Sequence, residues 1–288
     1  MPSIEHCLFH GQPALRLCAD DSAAVTLTLF GGQVLSWTTA AGVEQLYLSP
    51  LTRLDGSGAI RGGVPVIFPQ FNARGPLPRH GFARTAQWEL VQDHAQAQDQ
   101  AQAEPCSLTL ALQHTAGMQA LWPHDFDCRL IVALRPHSLA LTLTVHNAGS
   151  AALSFQAALH TYLAVGGLDG LQLLGLDHCP YEDCTEPHAG VFKPHMPWQP
   201  PAAMDRIYFQ APGQLQLRSA LGQRLLQHSG FADLVVWNPG AAPAGTPADL
   251  PADGHRHFLC VEAAQIGQPV CLEAGQKWSG TQTLGALS

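Results

Sequence analysis

Two ionisable residues stand in surroundings that do not suit them. His160 lies in SFQAALHTYLAV and Glu262 in HFLCVEAAQ, both apolar, strand-like runs. Alternation puts Gln156, Ala158, His160 and Tyr162 on one face of the first run, and Phe258, Cys260 and Glu262 on one face of the second. An imidazole taken out of water must be hydrogen-bonded or functional, and a desolvated carboxylate is costly unless paired. His160 is thus either a satisfied core histidine or an acid–base group. Glu262 is either the partner of a buried arginine or a working carboxylate. Together they could take one proton from a substrate and give one back.

A third feature binds rather than reacts. Residues 60–88 hold Arg61, Arg74, Arg79 and Arg84, four of only 14 Lys+Arg in the chain, with His80, four prolines and four glycines around the short apolar run 64–68. Glycine and proline shape backbone rather than fill a core, so the segment reads as a loop system that holds guanidinium groups in place. Such planar, permanently charged forks suit a phosphate or a carboxylate, which predicts a pocket for an anionic small molecule. Whether Arg74 and His80 face ligand or solvent stays open. Asp205, in MDRIYF at the start of a strand, either accepts hydrogen bonds from a polyol or caps the turn.

The elements that must position these groups are strands. Period-two runs recur between Gly, Pro, Asp and Asn signals at 14–19, 23–30, 33–38, 45–48, 87–92, 107–114, 127–134, 139–147 and 153–165, then at 171–174, 206–210, 215–218, 224–227, 233–237, 258–264 and 276–283. No helix-period pattern of comparable length accompanies them. The fold class is all-β, a large antiparallel β-sandwich in one domain over residues 1–288. Polar residues 93–105 read as a solvated excursion, and 185–203 as a Pro/His-rich loop.

Composition narrows the function. A formal net charge of −8 opposes nucleic-acid and anionic-membrane surfaces. The N-terminus has no signal-peptide pattern and no stretch reaches 18 uninterrupted apolar residues, so a cytoplasmic location is expected. Eight scattered cysteines read as thiols. Only Cys179 and Cys184, with His178 and His188 nearby, approach a zinc-ligand spacing. Phosphate-loop, nucleophile-elbow and HExxH motifs are absent, and nothing calls for a cofactor or a metal.

The strings RGGVPVIFPQF, HGFAR, ALHTYLAVG, MDRIYF, VVWNPG and FLCVEAA, in that order, resemble the hexose-6-phosphate mutarotases, the glucose-6-phosphate 1-epimerase branch of the aldose 1-epimerase family. The resemblance runs from about Gly31 to Trp278. It implies a sandwich of the galactose-mutarotase type, no cofactor, and interconversion of the α and β anomers of a sugar phosphate; separately, a monomer is expected. It assigns His160 and Glu262 as the acid/base pair on opposite sides of the pyranose. Arg61 and Arg84 become the phosphate grip, Arg79 a further substrate contact, and Asp205 the sugar-contacting aspartate. The loop ADLPADGHRH lacks the methionine that the family carries before its Ala-Asp pair, which alters the pocket rim. Alternatives are a mutarotase for unphosphorylated aldoses and a carbohydrate-binding sandwich without turnover.

Overall fold

The computed structural model describes residues 2–94, 106–185, 191–192, 203–241 and 247–287. Most of the loop expected at 93–105, most of that at 185–203, and His188 lie outside the described residues.

Among the described residues the chain forms antiparallel sheets, as the alternation predicts. A four-stranded meander comes first: Ser3–Phe9, Gln12–Cys18, Ala24–Thr28 and Gln33–Thr38. One large sheet carries, in spatial order, Gln172–Leu174, Gln214–Ser219, Gly222–Ser229, Lys277–Leu287, Ser138–Asn147, Phe126–Arg135, Cys106–Leu112 and Trp88–His94. The other, the site sheet, runs Val191–Phe192, Tyr181–Asp183, Met204–Tyr208, Asp233–Asn238, Phe258–Leu272, Leu153–Leu159 and Val66–Ile67, with Tyr162–Ala164 also paired to Phe258–Leu272.

The alternation in sequence becomes layering in space. Leu259, Val261 and Ala263 pack with Leu141, Leu143 and Leu284 of the facing sheet in one core. The intervening residues turn away from it. Phe258 and Cys260 pack with Tyr162 and Leu250, while Ala264 packs with Ile67, Ala158 and Val235. Burying these side chains contributes about 1.5–3 kcal/mol each and fixes the register, because a one-residue slip would turn every face over.

Three departures from the expected elements matter. The run 45–48 forms isolated bridges rather than a strand. A helical turn, Ala116–Leu121, is capped by the Thr115 hydroxyl accepting from Met118 N–H. The long strand expected at 153–165 is interrupted at His160 and Thr161. Pro65 explains that break: it lies beside His160, accepts His160 N–H on its carbonyl, and has no N–H to return. A buried glutamine from the facing sheet supports the interrupted ladder. Gln282 Nε2 donates to Val261 O at 3.0 Å, and its Oε1 accepts the Thr161 hydroxyl.

The arginine-bearing segment is bonded to the sheet by backbone. Gly63 accepts from Tyr162 N–H on its carbonyl and donates its own N–H to Tyr47 O. Its φ is +60°, and a Cβ there would lie 2.0 Å from Val34 O. Gly63→Ala is therefore expected to cost at least about 2 kcal/mol. Gly42→Ala is the control, because its φ is also positive but its Cβ would meet nothing within 4 Å. That change should cost about 1 kcal/mol. Urea-denaturation midpoints measure both, and equal losses would mean that residues 61–63 do not pack as described.

Candidate active site

The site is built from two adjacent rows that cross the site sheet. Leu159 pairs with Ala263 before the interruption and Tyr162 with Cys260 after it. The same register on both sides sets His160 directly opposite Glu262. The next strand adds Val235 opposite Glu262, while Tyr162, Cys260, Trp237 and Asp205 form the neighbouring row. Even spacing along each strand brings these side chains to one face.

His160 Nε2 and Glu262 Oε1 are 3.3 Å apart, with Glu262 only 1% and His160 9% exposed. The polar partner of Glu262 is therefore a histidine, not the buried arginine that a purely structural role would call for. At this separation no pyranose ring fits between the two groups, so the structure does not hold them on opposite sides of a sugar-sized space. Glu262 Oε2 and His160 Nδ1 have no hydrogen-bond partner among the described residues. Buried polar atoms left so are uncommon and mark candidate contact points.

Burial drives both groups toward their neutral forms. It lowers His160 well below the ordinary imidazole range, and His80, Arg61 and Arg84 add to the effect. It raises Glu262 well above the usual carboxylate range, with Asp205 pushing the same way and Arg84 opposing. Both shifts favour a pair that holds one proton between its two members.

The cations reach the same cavity from loops. Arg61, Arg79 and Arg84 line a space of about 390 Å³ with His160, Glu262 and Asp205. That volume falls within the range of small-molecule sites. Arg61 Nε donates to Asp249 Oδ1 at 3.0 Å and Nη1 to the Tyr162 hydroxyl at 2.9 Å. Arg84 sits in the short turn Ala83–Thr85 and donates from Nη2 to Arg79 O at 2.9 Å. Burial, reinforced by Arg61 and Arg79 against the pull of Tyr162, brings Arg84 down to about 10, so it remains a cation at neutral pH. Arg74 does not line this cavity; its guanidinium is engaged by Glu182.

Asp205 lines the cavity from the site sheet, on Met204–Tyr208. Burial raises its carboxyl to about 6, with Arg79 lowering it and Asp183 raising it. It is the second residue of its strand and lines the cavity, as a polyol contact would.

His80, left open from sequence, belongs to the site. It is buried, lines the cavity and lies 5.9 Å from the His160 ring. Its φ of +67° and the adjacent Gly81, whose Cβ would lie 2.2 Å from Phe68 O, turn the side chain under the loop. Nδ1 accepts Asn72 N–H at 3.3 Å, so the neutral ring carries its proton on Nε2. Burial, then Arg84, Arg79 and Arg61, lower it to about 3, which keeps it uncharged. The sequence signal was its place inside the arginine cluster. Cys184, read at zinc-ligand spacing with Cys179, lies on the cavity wall instead. Among the described residues no group of three or more His, Cys, Asp and Glu stands close enough to hold a metal.

Comparison with known proteins bears on the family and the fold. A family model described as aldose 1-epimerase matches residues 13–285. A protein of Cenchrus ciliaris with the provisional name glucose-6-phosphate 1-epimerase is 31% identical over 272 residues, covering 90% of this chain and 80% of that protein. One of Escherichia coli K12 with the same provisional name is 31% identical over 247 residues, covering 84% and 80%. The crystal structure of a provisionally named mutarotase from Salmonella typhimurium superposes with a TM-score of 0.81 at 25% identity, covering 99% of this chain and 97% of that one. The galactose 1-epimerase of Lactobacillus acidophilus shares the fold, with a TM-score of 0.71 at 14% identity over 99% and 98% of the two chains. On the extent of these matches, the chain belongs to the aldose 1-epimerase family of isomerases.

Proposed function

We propose that this protein interconverts the α and β anomers of a hexose 6-phosphate, glucose 6-phosphate first among them. One observation carries the reading: a buried His–Glu pair and three guanidinium groups share one cavity of sugar-phosphate size. The provisional names of the two relatives at 31% identity support the same substrate.

Anomerisation needs a proton removed from the C1 hydroxyl and one delivered to the ring oxygen, so that the hemiacetal opens. Rotation about C1–C2 and reclosure on the other carbonyl face reverse both transfers. The two oxygens involved are bonded to one carbon. An acid and a base in contact, as His160 and Glu262 are, suit that edge better than groups placed on opposite faces. Glu262 serves as base on the C1 hydroxyl and His160 as acid toward the ring oxygen, and the roles exchange on closure.

The shifted pKa values of the pair favour neutral imidazole and carboxylic acid, which hold the same single proton as imidazolium and carboxylate. A phosphate dianion on Arg61 and Arg84 offsets two of the charges that depress His160, moving the proton toward the acid. The arginines thus orient C1 from the far end of the sugar and adjust the pair electrostatically. Asp205 accepts sugar hydroxyls, and neutral His80 donates from Nε2.

Glu262→Gln and His160→Asn are each expected to lower the catalysed rate about 10²–10⁴-fold while the protein stays folded. Two-dimensional exchange NMR on glucose 6-phosphate reads the rate, and near-normal exchange in either variant would remove that residue from the mechanism. Arg84→Ala should lower kcat/KM for glucose 6-phosphate about 10- to 100-fold, as loss of a charge-assisted hydrogen bond does, and should change that for free glucose much less. Equal loss on both sugars would leave the arginine a structural role only.

Asp205 supplies the pH test. Its carboxyl, raised to about 6, is charged above that pH and neutral below it. With free glucose, which has no phosphate ionisation of its own, kcat/KM should rise through about pH 6 in the wild type. Asp205→Asn should flatten that limb. An unchanged limb in the variant would assign the titration to another group.

A further inference from the structure

One side chain touches both halves of the site. The Tyr162 ring lies parallel to the His160 imidazole, with centroids 4.9 Å apart and planes 10° apart. Its hydroxyl accepts the hydrogen bond from Arg61 Nη1 at 2.9 Å. The phenol is 1% exposed and fixed on its other sides by Phe258 and Trp237, with ring centroids at 5.1 and 6.0 Å. Burial raises Tyr162, which keeps its proton on at neutral pH. It therefore accepts from Arg61 as a neutral hydroxyl rather than as a counter-charge.

We propose that Tyr162 is a positioning residue that links anion binding to acid catalysis, holding Arg61 through its hydroxyl and the reactive state of His160 through its ring face. The inference rests on the anomerase reading above and extends it. His160 must become imidazolium during each turnover. It is faced by the cations Arg61, Arg79 and Arg84 and by neutral His80, and on the sheet by Glu262, Cys260 and Asp205. A cation gains from lying over the negative face of an aromatic ring, most of all where water is excluded. The stack thus favours the charged ring and sets its plane relative to Glu262. The hydroxyl has a separate duty. With Asp249 on Nε and Tyr162 on Nη1, Arg61 is held at two points, so less side-chain freedom is lost when an anion arrives.

The two duties separate by substitution. Tyr162→Phe keeps the stack and removes the hydroxyl. Tyr162→Met removes the stack as well and leaves an unbranched apolar side chain in its place. In Tyr162→Phe, affinity for inorganic phosphate by calorimetry should fall about 5- to 20-fold. Its kcat/KM for glucose 6-phosphate should fall by a similar factor, mostly through KM. Tyr162→Met should show the same loss of phosphate affinity and a further fall in kcat of about 10-fold or more. Equal kcat in the two variants would overturn the ring's role, and unchanged phosphate affinity in both would overturn the hydroxyl's role. A wild-type protein that does not accelerate anomerisation would sink the anomerase reading and, with it, the catalytic half of this one. The phosphate measurement would still decide the hydroxyl's part. If Tyr162→Met does not fold, the Phe variant decides alone: a fall in kcat larger than the rise in KM overturns the assignment.

Discussion

A carboxylate and an imidazole removed from water at 3.3 Å are unfavourable unless the surroundings are fixed before either group is charged. Much of the structure around this pair meets that requirement. The two residues are placed opposite each other by a register that continues on both sides of a strand interruption. The inner face of their sheet is locked into a leucine-rich core, so the outer face cannot turn over. Gln282 reaches through from the facing sheet to Val261 and Thr161, beside the interruption. The break leaves His160 out of the regular ladder, and packing on both sides keeps it in position.

The division of labour between sheet and loops follows from what each part must do. On the proposed mechanism proton transfer tolerates little error in distance, and His160 and Glu262 stand on neighbouring strands where register sets spacing. Anion binding acts over longer range and gains from several cations converging, which loops can supply. Arg61, Arg79 and Arg84 come from loop and turn segments, yet they are not loosely held. Gly62 and Gly63 let the backbone press against Tyr47 and Val34, and Gly81 does the same against Phe68, where a Cβ would clash. The loops are rigid because they are packed at glycine distance, not because they contain regular structure.

The faces of the strands could be read from sequence, and so could the two residues that stand out as a buried imidazole and carboxyl. Period-two alternation separates Leu259, Val261 and Ala263 from Phe258, Cys260 and Glu262, and the structure keeps that division. What alternation cannot supply is pairing. The contact of His160 with Glu262 depends on register between segments a hundred residues apart, and neither run encodes its partner. The interruption at 160–161 was hidden for a similar reason: its cause is Pro65, distant in sequence and visible only once the strands are paired. His80 is a subtler case. Its burial needs a left-handed backbone and a neighbouring glycine, features that sequence shows only as the dipeptide His80-Gly81.

The cations also bear on the protonation of the pair. Arg61 is partly neutralised by Asp249, and Arg84 is a weaker cation than usual because burial opposes its charge. Full neutralisation by protein carboxylates would leave little attraction for an anion. Full exposure would let water screen it. The arrangement sits between these limits, with Asp205 on the cavity lining and uncharged His80 close to the pair. A doubly charged ligand gains most from such a cavity, because it answers the excess of arginines that protein carboxylates leave uncompensated. On the proposed mechanism the charges that hold the anion also oppose a proton on His160, so a bound anion offsets the arginines' share of that opposition and leaves the larger share, burial, in place. On that reading anion affinity and the protonation of His160 are coupled through the same arginines, and a change that strengthens the arginines' internal ion pairs would weaken anion binding while easing protonation of His160.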